Sequence, residues 1–231
     1  MTEREDFLEE AIAAAERAVE LGVITEKTLS IEALRAVVEQ ARLAKRLRHE
    51  NASLREENER DLLTHALTRA ATQRRLDEIV QEMKLAKRKN DPEAVVVIYI
   101  DLYKLKEVND TFGHEMGDSK LWHFAANTLI ALREEDVFGR LHGDEFLIVL
   151  PITRGTEAER VAAEVTNKID ENIGWHNQHL GEEEPELRIT KGVAIFLRGT
   201  ELSGDEMIRQ ADSAMYEEKG RQRREDGQNN S

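Results

Sequence analysis

From residue 94 to residue 100 the chain reads Ala94-Val95-Val96-Val97-Ile98-Tyr99-Ile100, with no charged residue, and then meets Asp101. A run this apolar and this short reads as a strand covered on both faces. A second run, Phe146-Leu147-Ile148-Val149-Leu150, follows His142-Gly143, and Val137-Phe138 precede that dipeptide. The pattern predicts a hairpin with His142-Gly143 at its tip. Elsewhere the apolar period is helical. Phe7, Ala11, Ala14, Ala18 and Leu21 predict a helix over residues 3–21, with Gly22 as its stop. Ser30 is a good N-cap for a second helix through Leu34, Val37, Val38, Ala41, Leu43 and Leu47 toward Glu59. Further helices are expected over residues 71–89, 119–132 and 157–172, the last with Val161, Val165 and Ile169 on one face. Residues 187–197 supply one or two strands. Trp175, His176 and His179 read as loop packing, and the tail after Gln222 as frayed.

A heptad can be laid on the second helix. Val37, Ala44, Asn51 and Asn58 fall at a, and Gln40, Leu47, Leu54 and Asp61 at d. An Asn at a between d-position leucines is a device that fixes register in parallel two-stranded coiled coils. A solvated helix packed on the first helix as a hairpin fits the same residues, and two such hairpins from two chains would form a four-helix bundle.

Composition narrows the classes of function. The chain has 231 residues, 35% of them charged, and a net charge of -14. Such a balance argues against a nucleic-acid partner held by a basic face. It leaves room for a nucleotide enzyme, because magnesium brings its own positive charge. No cysteine is present, which removes disulfides, zinc-thiolate sites and thiol nucleophiles. No apolar run approaches the ~20 residues of a membrane span, and the first residues lack the pattern of a secretory signal. The expectation is a cytoplasmic protein with neither a membrane nor a nucleic-acid partner.

The candidate chemistry clusters around Arg140-Leu141-His142-Gly143-Asp144-Glu145-Phe146. Asp101, at the end of a buried strand, is where a sheet protein can place a metal ligand, and Asp144 and Glu145 add two more carboxylates. The stretch resembles the GGDEF hairpin of diguanylate cyclases, with His142 in place of the first glycine. Other motifs follow in family order. Asp61-Leu62-Leu63-Thr64-His65-Ala66-Leu67-Thr68-Arg69 is a worn form of D-x-L-T-G-L-x-N-R, with His65 at the glycine. That loss predicts a more helical passage into the domain. Asp101-Leu102-Tyr103-Lys104-Leu105-Lys106 resembles D-x-D-x-F-K, with Tyr103 at the second Asp. Asn109-Asp110-Thr111-Phe112-Gly113-His114-Glu115-Met116-Gly117-Asp118 matches N-D-x-x-G-H-x-x-G-D throughout. Arg133-Glu134-Glu135-Asp136 resembles an inhibitory R-x-x-D. Ala211-Asp212-Ser213-Ala214-Met215-Tyr216-Glu217-Glu218-Lys219 matches A-D-x-A-[LM]-Y-x-x-K.

The resemblance covers roughly residues 61 to 223. It implies an α/β fold of the nucleotidyl-cyclase palm type, related to ferredoxin-like folds: a mostly antiparallel sheet flanked by helices. Here that fold would follow an N-terminal helical hairpin or coiled coil. The expected domains are a dimerisation extension over 1–60, the catalytic domain over 61–225 and a disordered tail over 226–231. The implied activity condenses two GTP into cyclic di-GMP and pyrophosphate, with two Mg2+ or Mn2+ per site and a homodimer through the N-terminal helices. By resemblance the metals fall to Asp101, the Leu102 carbonyl, Asp144 and Glu145. Catalysis falls to Asp144, Glu145 and Lys106. The substrate falls to Asn109, Asp118, Lys106, His142, Gly143, Lys219 and Arg223, with Arg221 competing with Arg223. The product falls to Arg133 and Asp136. Asn109 and Asp118 would read the guanine edge, since a carboxylate can accept from two guanine donors. Asp118 also reads as an N-cap for the helix after it. A side chain at 142 obstructs phosphate approach where glycine would not, though His tolerates a left-handed turn. The rival reading is a degenerate, non-catalytic domain that receives GTP or cyclic di-GMP. A third, a helical interaction protein on a globular scaffold, leaves the nucleotide and metal positions unused.

Overall fold

The computed structural model describes residues 17, 40, 42–46, 59–85 and 91–229. The chain forms two compact units, Met1–Asn58 and Glu59–Ser231. In the first unit Arg17, Gln40 and residues 42–46 are helical. The heptad positions Val37, Leu47, Asn51, Leu54 and Asn58, and the expected dimer contact, lie outside the described residues.

The second unit is built on five strands in the order β1-β3-β4-β2-β5. They are β1 (Leu67–Thr68), β2 (Ala94–Leu102), β3 (Val137–His142), β4 (Glu145–Ile152) and β5 (Ile189–Leu197). The helices are α1 (Arg69–Leu85), α2 (Leu105–Phe112), α3 (His114–Ala131), α4 (Ala158–Gln178) and α5 (Gly204–Asn229). Pairing is antiparallel throughout, except that β1 runs parallel to β3. The expected mostly antiparallel sheet flanked by helices is what forms.

β2 is central, which is why its run carries no polar alternation: all nine residues are buried. Alternate side chains go to opposite faces. Val96, Ile98 and Ile100 meet Leu121 and Phe124 of α3 and Val161, Val165 and Ile169 of α4. Val95, Val97 and Tyr99 meet Leu76, Val80 and Met83 of α1 and Met207, Ala211 and Met215 of α5. The face therefore decides which helix a strand residue can reach, and α5 belongs to the face of the odd-numbered β2 residues.

Several expectations change. The passage into the domain is not helical. Residues 61–64 form a turn, and His65 takes φ 57°, the left-handed conformation that glycine would adopt freely. The turn holds because Asp61 Oδ1 accepts from the Thr64 amide (2.9 Å) and hydroxyl (2.7 Å). At the hairpin, His142 is the last residue of β3, so the turn is Gly143-Asp144, one residue later than expected. The positive φ there is Gly143's (52°). Trp175 and His176 lie on α4 instead of in a loop, and His179 is its C-cap. Residues 187–197 give a single strand. α5 does not fray at Gln222, which bonds Thr190 Oγ1 (2.6 Å) and the Ile189 carbonyl (3.3 Å).

Candidate active site

The acids gather where β2 and the β3–β4 hairpin end together. Asp101 is opposite Glu145 in the β2–β4 register, and the Leu102 amide donates to the Asp144 carbonyl (3.1 Å). Asp101 shares the parity of Val97 and Tyr99, and Glu145 that of Leu147 and Val149, so both point to the α1/α5 face. Phe146 anchors the hairpin from the other face, stacked on Phe138 (5.5 Å between centroids) and edge-on to Phe124 (4.8 Å).

Lys219 reaches this corner from α5, and its Nζ lies 2.7 Å from Asp101 Oδ1. The reach is set by close helix–strand packing. A Cβ on Gly192 of β5 would come within 2.1 Å of the Met215 amide nitrogen. With only hydrogen there, the helix backbone rests on the strand and Lys219 follows one turn later. Asp101 is only 4% exposed. Burial pushes its carboxyl above the ordinary range; Lys219 opposes this, while Asp144 and Glu145 add to it. Tyr99 donates to Glu145 Oε2, and His142 Nε2 is 3.0 Å from the same oxygen. Burial, then the Glu145 carboxylate, push the Tyr99 hydroxyl pKa far up, so it stays a donor.

Arg140 fastens the hairpin to the entering turn. Its Nε and NH2 donate to the Gly143 carbonyl (2.9 and 2.7 Å), and NH1 to both Asp61 oxygens (3.0 and 3.2 Å). Burial works to raise the Asp61 pKa, but the Thr64 bonds and Arg140 outweigh it and hold it low.

The ten-residue motif at 109–118 is a helical elbow. α2 ends at Gly113 (φ 85°), and α3 begins directly after it. A Cβ on Gly117 would lie 1.8 Å from Asn109 Oδ1. That glycine lets Asn109 pack against the residue next to Asp118. Asp118 sits inside α3, exposed, so it is not an N-cap. Lys106 is exposed in the first turn of α2, and Arg223 is exposed one turn beyond Lys219.

Arg133 and Asp136 close a tight turn, in which the Arg133 amide donates to Asp136 Oδ2 (2.9 Å). Burial pushes the Asp136 carboxyl up; this amide opposes it. Both residues line a cleft of about 570 Å³, into which Arg60, Arg74 and Arg75 also open.

The donor set, three carboxylates and a strand-end carbonyl, suits a hard divalent cation. Three carboxylates against one ammonium leave negative charge that such a cation would balance. Among the described residues no three His, Asp or Glu side chains already surround one point. Asp101 faces Lys219, and Glu145 faces Tyr99 and His142.

The sequence reading grouped Asp101, Asp144 and Glu145 as a carboxylate cluster and gave Lys219 separately to phosphate, whereas Lys219 stands 2.7 Å from Asp101. That reading passed over Tyr99, whose signal was its parity with Asp101 two residues on. It also passed over the Asp61–Arg140 clasp, which joins two motifs 79 residues apart.

The five-stranded sheet flanked by helices is the palm-type fold that the sequence resemblance implied. The family model "Diguanylate cyclase, GGDEF domain" matches residues 58–225, and the chain belongs to that family. It is 31% identical over 172 residues to the diguanylate cyclase TpbB of Pseudomonas aeruginosa, an alignment covering 74% of this chain and 37% of TpbB. The chain thus spans little more than a third of that relative's length. Among solved structures it resembles the diguanylate cyclase SiaD of Pseudomonas aeruginosa, crystallised with its activator SiaC. The TM-score is 0.60 at 28% identity, over 94% of this chain and 80% of that one. The fold also matches the coiled coil and GGDEF domain of DgcB from Caulobacter crescentus in complex with c-di-GMP. There the TM-score is 0.63 at 24% identity, over 81% and 93% of the two chains. Among the described residues no helix is long and apolar enough to cross a membrane.

Proposed function

We propose that this chain condenses two GTP molecules into cyclic di-GMP and releases pyrophosphate. The observation that carries the reading is the corner where Asp101, Asp144 and Glu145 meet Lys219, with Asp101 in register opposite Glu145 and 2.7 Å from the ammonium. Bound there, Mg2+ or Mn2+ supplies Lewis-acid stabilisation of the attacked α-phosphate and lowers the pKa of the attacking 3'-hydroxyl. Asp101, Asp144, Glu145 and the Leu102 carbonyl would hold the cations. Lys219, Lys106 and Arg223 would meet phosphate oxygens. Asn109 and Asp118 fix the guanine. Gly143 leaves room for phosphate at the tip, since a Cβ built there meets nothing within 4 Å. Each chain holds one GTP, so two catalytic domains face each other, and residues 30–60 are the proposed dimer contact. Cyclic di-GMP binds at Arg133 and Asp136 and restrains the enzyme.

One observation favours the non-catalytic alternative: every acid of the corner but Asp144 has its side chain engaged, by Lys219, Tyr99 or His142. The two readings separate when the pure protein is incubated with GTP and Mg2+ or Mn2+ and the products are chromatographed. Cyclic di-GMP is expected. GTP recovered intact under both metals would leave the receptor reading.

A further inference from the structure

The corner contains one donor that the family pattern lacks. His142 ends β3 with its side chain 59% exposed, and its Nε2 is 3.0 Å from Glu145 Oε2. Its backbone is relaxed: the non-glycine residues with positive φ among those described are His65 and Lys104. The side chain is therefore placed by its strand and not forced there by the turn. Tyr99, on the buried side of the same carboxylate, donates to Oε2 and fixes its orientation.

Two ligands about 2.1 Å from one octahedral cation, at right angles, lie about 3.0 Å apart. The His142–Glu145 separation equals that edge. A hydrogen bond has the same length, so the surroundings decide between the two. The carboxylates of Asp101 and Asp144 act electrostatically on the same corner, Lys219 is bonded to Asp101, and the His142 side chain is open to solvent. That setting draws a cation to the pair.

We propose that His142 and Glu145 are a ligand pair for the divalent cation of this corner. Imidazole nitrogen suits first-row transition cations, whereas Mg2+ keeps oxygen ligands and dehydrates reluctantly. Replacing the family's glycine with His142 thus adds a nitrogen to an all-oxygen shell and moves the preference from Mg2+ toward Mn2+. This rests on the metal-site reading under Proposed function.

The test needs no turnover. Mn2+ is titrated into the nucleotide-free full chain and followed by electron paramagnetic resonance, with pulsed measurements reading nitrogen hyperfine coupling. The wild type should show bound Mn2+ with nitrogen coupling. His142→Gly and His142→Gln should lose the coupling and bind Mn2+ about tenfold more weakly, at least the cost of losing a ligand's supporting partner. Mg2+, read by competition, should bind all three proteins alike. The glutamine variant keeps the hairpin's bulk, so it separates ligation from shape. Equal Mn2+ affinity with no nitrogen coupling would overturn the inference. So would tighter binding of both metals by His142→Gly, which would make His142 a blocker of Glu145. Asp144→Ala tells the failures apart. Mn2+ binding that survives it, or is absent from the wild type, sinks the metal-site reading itself. Binding lost there but indifferent to His142 sinks this inference alone.

Discussion

His65 and His142 both stand where the family pattern has glycine, and the molecule treats them differently. His65 inherits the glycine's backbone: it takes φ 57° at the turn into the domain, and its carbonyl accepts from Arg60 (2.8 Å). His142 inherits no such demand, because the left-handed position belongs to Gly143 next to it. The first substitution is a matter of conformation, costing on the order of 1 kcal/mol of strain. The second is a matter of chemistry, since it brings a nitrogen to a carboxylate. The same exchange of residue types can thus load the backbone in one place and equip a site in another, and φ distinguishes the cases. His142 therefore carries no left-handed backbone strain.

The widest gap between the two regions should come from Asp144→Ala. It removes an acid of the hairpin without touching the core, so cyclic di-GMP formation should fall about 100- to 1,000-fold while the melting temperature holds. Product persisting at the wild-type rate would break the claim that the hairpin is the chemical region. Arg140→Met comes next, because it severs the clasp between the two regions. Asp61 loses its counter-ion and the Gly143 carbonyl its donor, for a loss of about 2 kcal/mol in urea unfolding. An unchanged midpoint would mean that turn and hairpin hold their places independently. His65→Gly should act in the opposite sense. Relief of the left-handed strain, less the added freedom of the unfolded glycine, should raise stability by a few tenths of a kcal/mol, about 0.5 at most. A lower melting temperature would mean that the imidazole contributes contacts after all.

The smallest effect sharpens the comparison with a third histidine site. His123 of α3 and His176 of α4 lie with ring centroids 4.3 Å apart. Burial lowers both pKa values from 6.5; Lys120 lowers both further, as does His123 for His176, while Glu184 opposes. The folded pair refuses protons that the unfolded chain accepts, so this contribution is intact above pH 6.5 and is lost as pH falls through the lower folded values. His123→Phe should flatten the melting temperature between pH 7 and 5.5 relative to wild type. A wild-type slope retained by the variant would move the pH response elsewhere.

Much of this was readable before any coordinates. Residues 94–101 announced a central strand because a strand covered on both faces has no polar alternation to confuse it. The acids at 101, 144 and 145 were readable because a carboxylate at the end of an apolar run has few structural reasons to be there. What escaped depended on contacts between distant segments. Asp118 read equally as a cap, because the local sequence does not say that Gly113 starts α3 five residues earlier. Tyr99 was hidden as one more apolar letter, since its hydroxyl matters only once Glu145 lies across the sheet. Trp175 and His176 looked like loop residues, because the apolar stripe of α4 fades after Ile173 while its backbone continues to Gln178. Gln222 looked like the start of a frayed end, and only the fold brings Thr190 to it.

The pairing of Lys219 with Asp101 spans 118 residues. It has a consequence for the order in which the protein is made. Four of the five strands and both halves of the helical elbow have been synthesised before β5 begins, yet the acid corner stays without its lysine until α5 emerges and lies down on Gly192. A nascent or truncated chain that stops short of residue 219 carries the elbow and the hairpin with Asp101 lacking its ammonium partner. The charge balance of the corner thus arrives late and in one step.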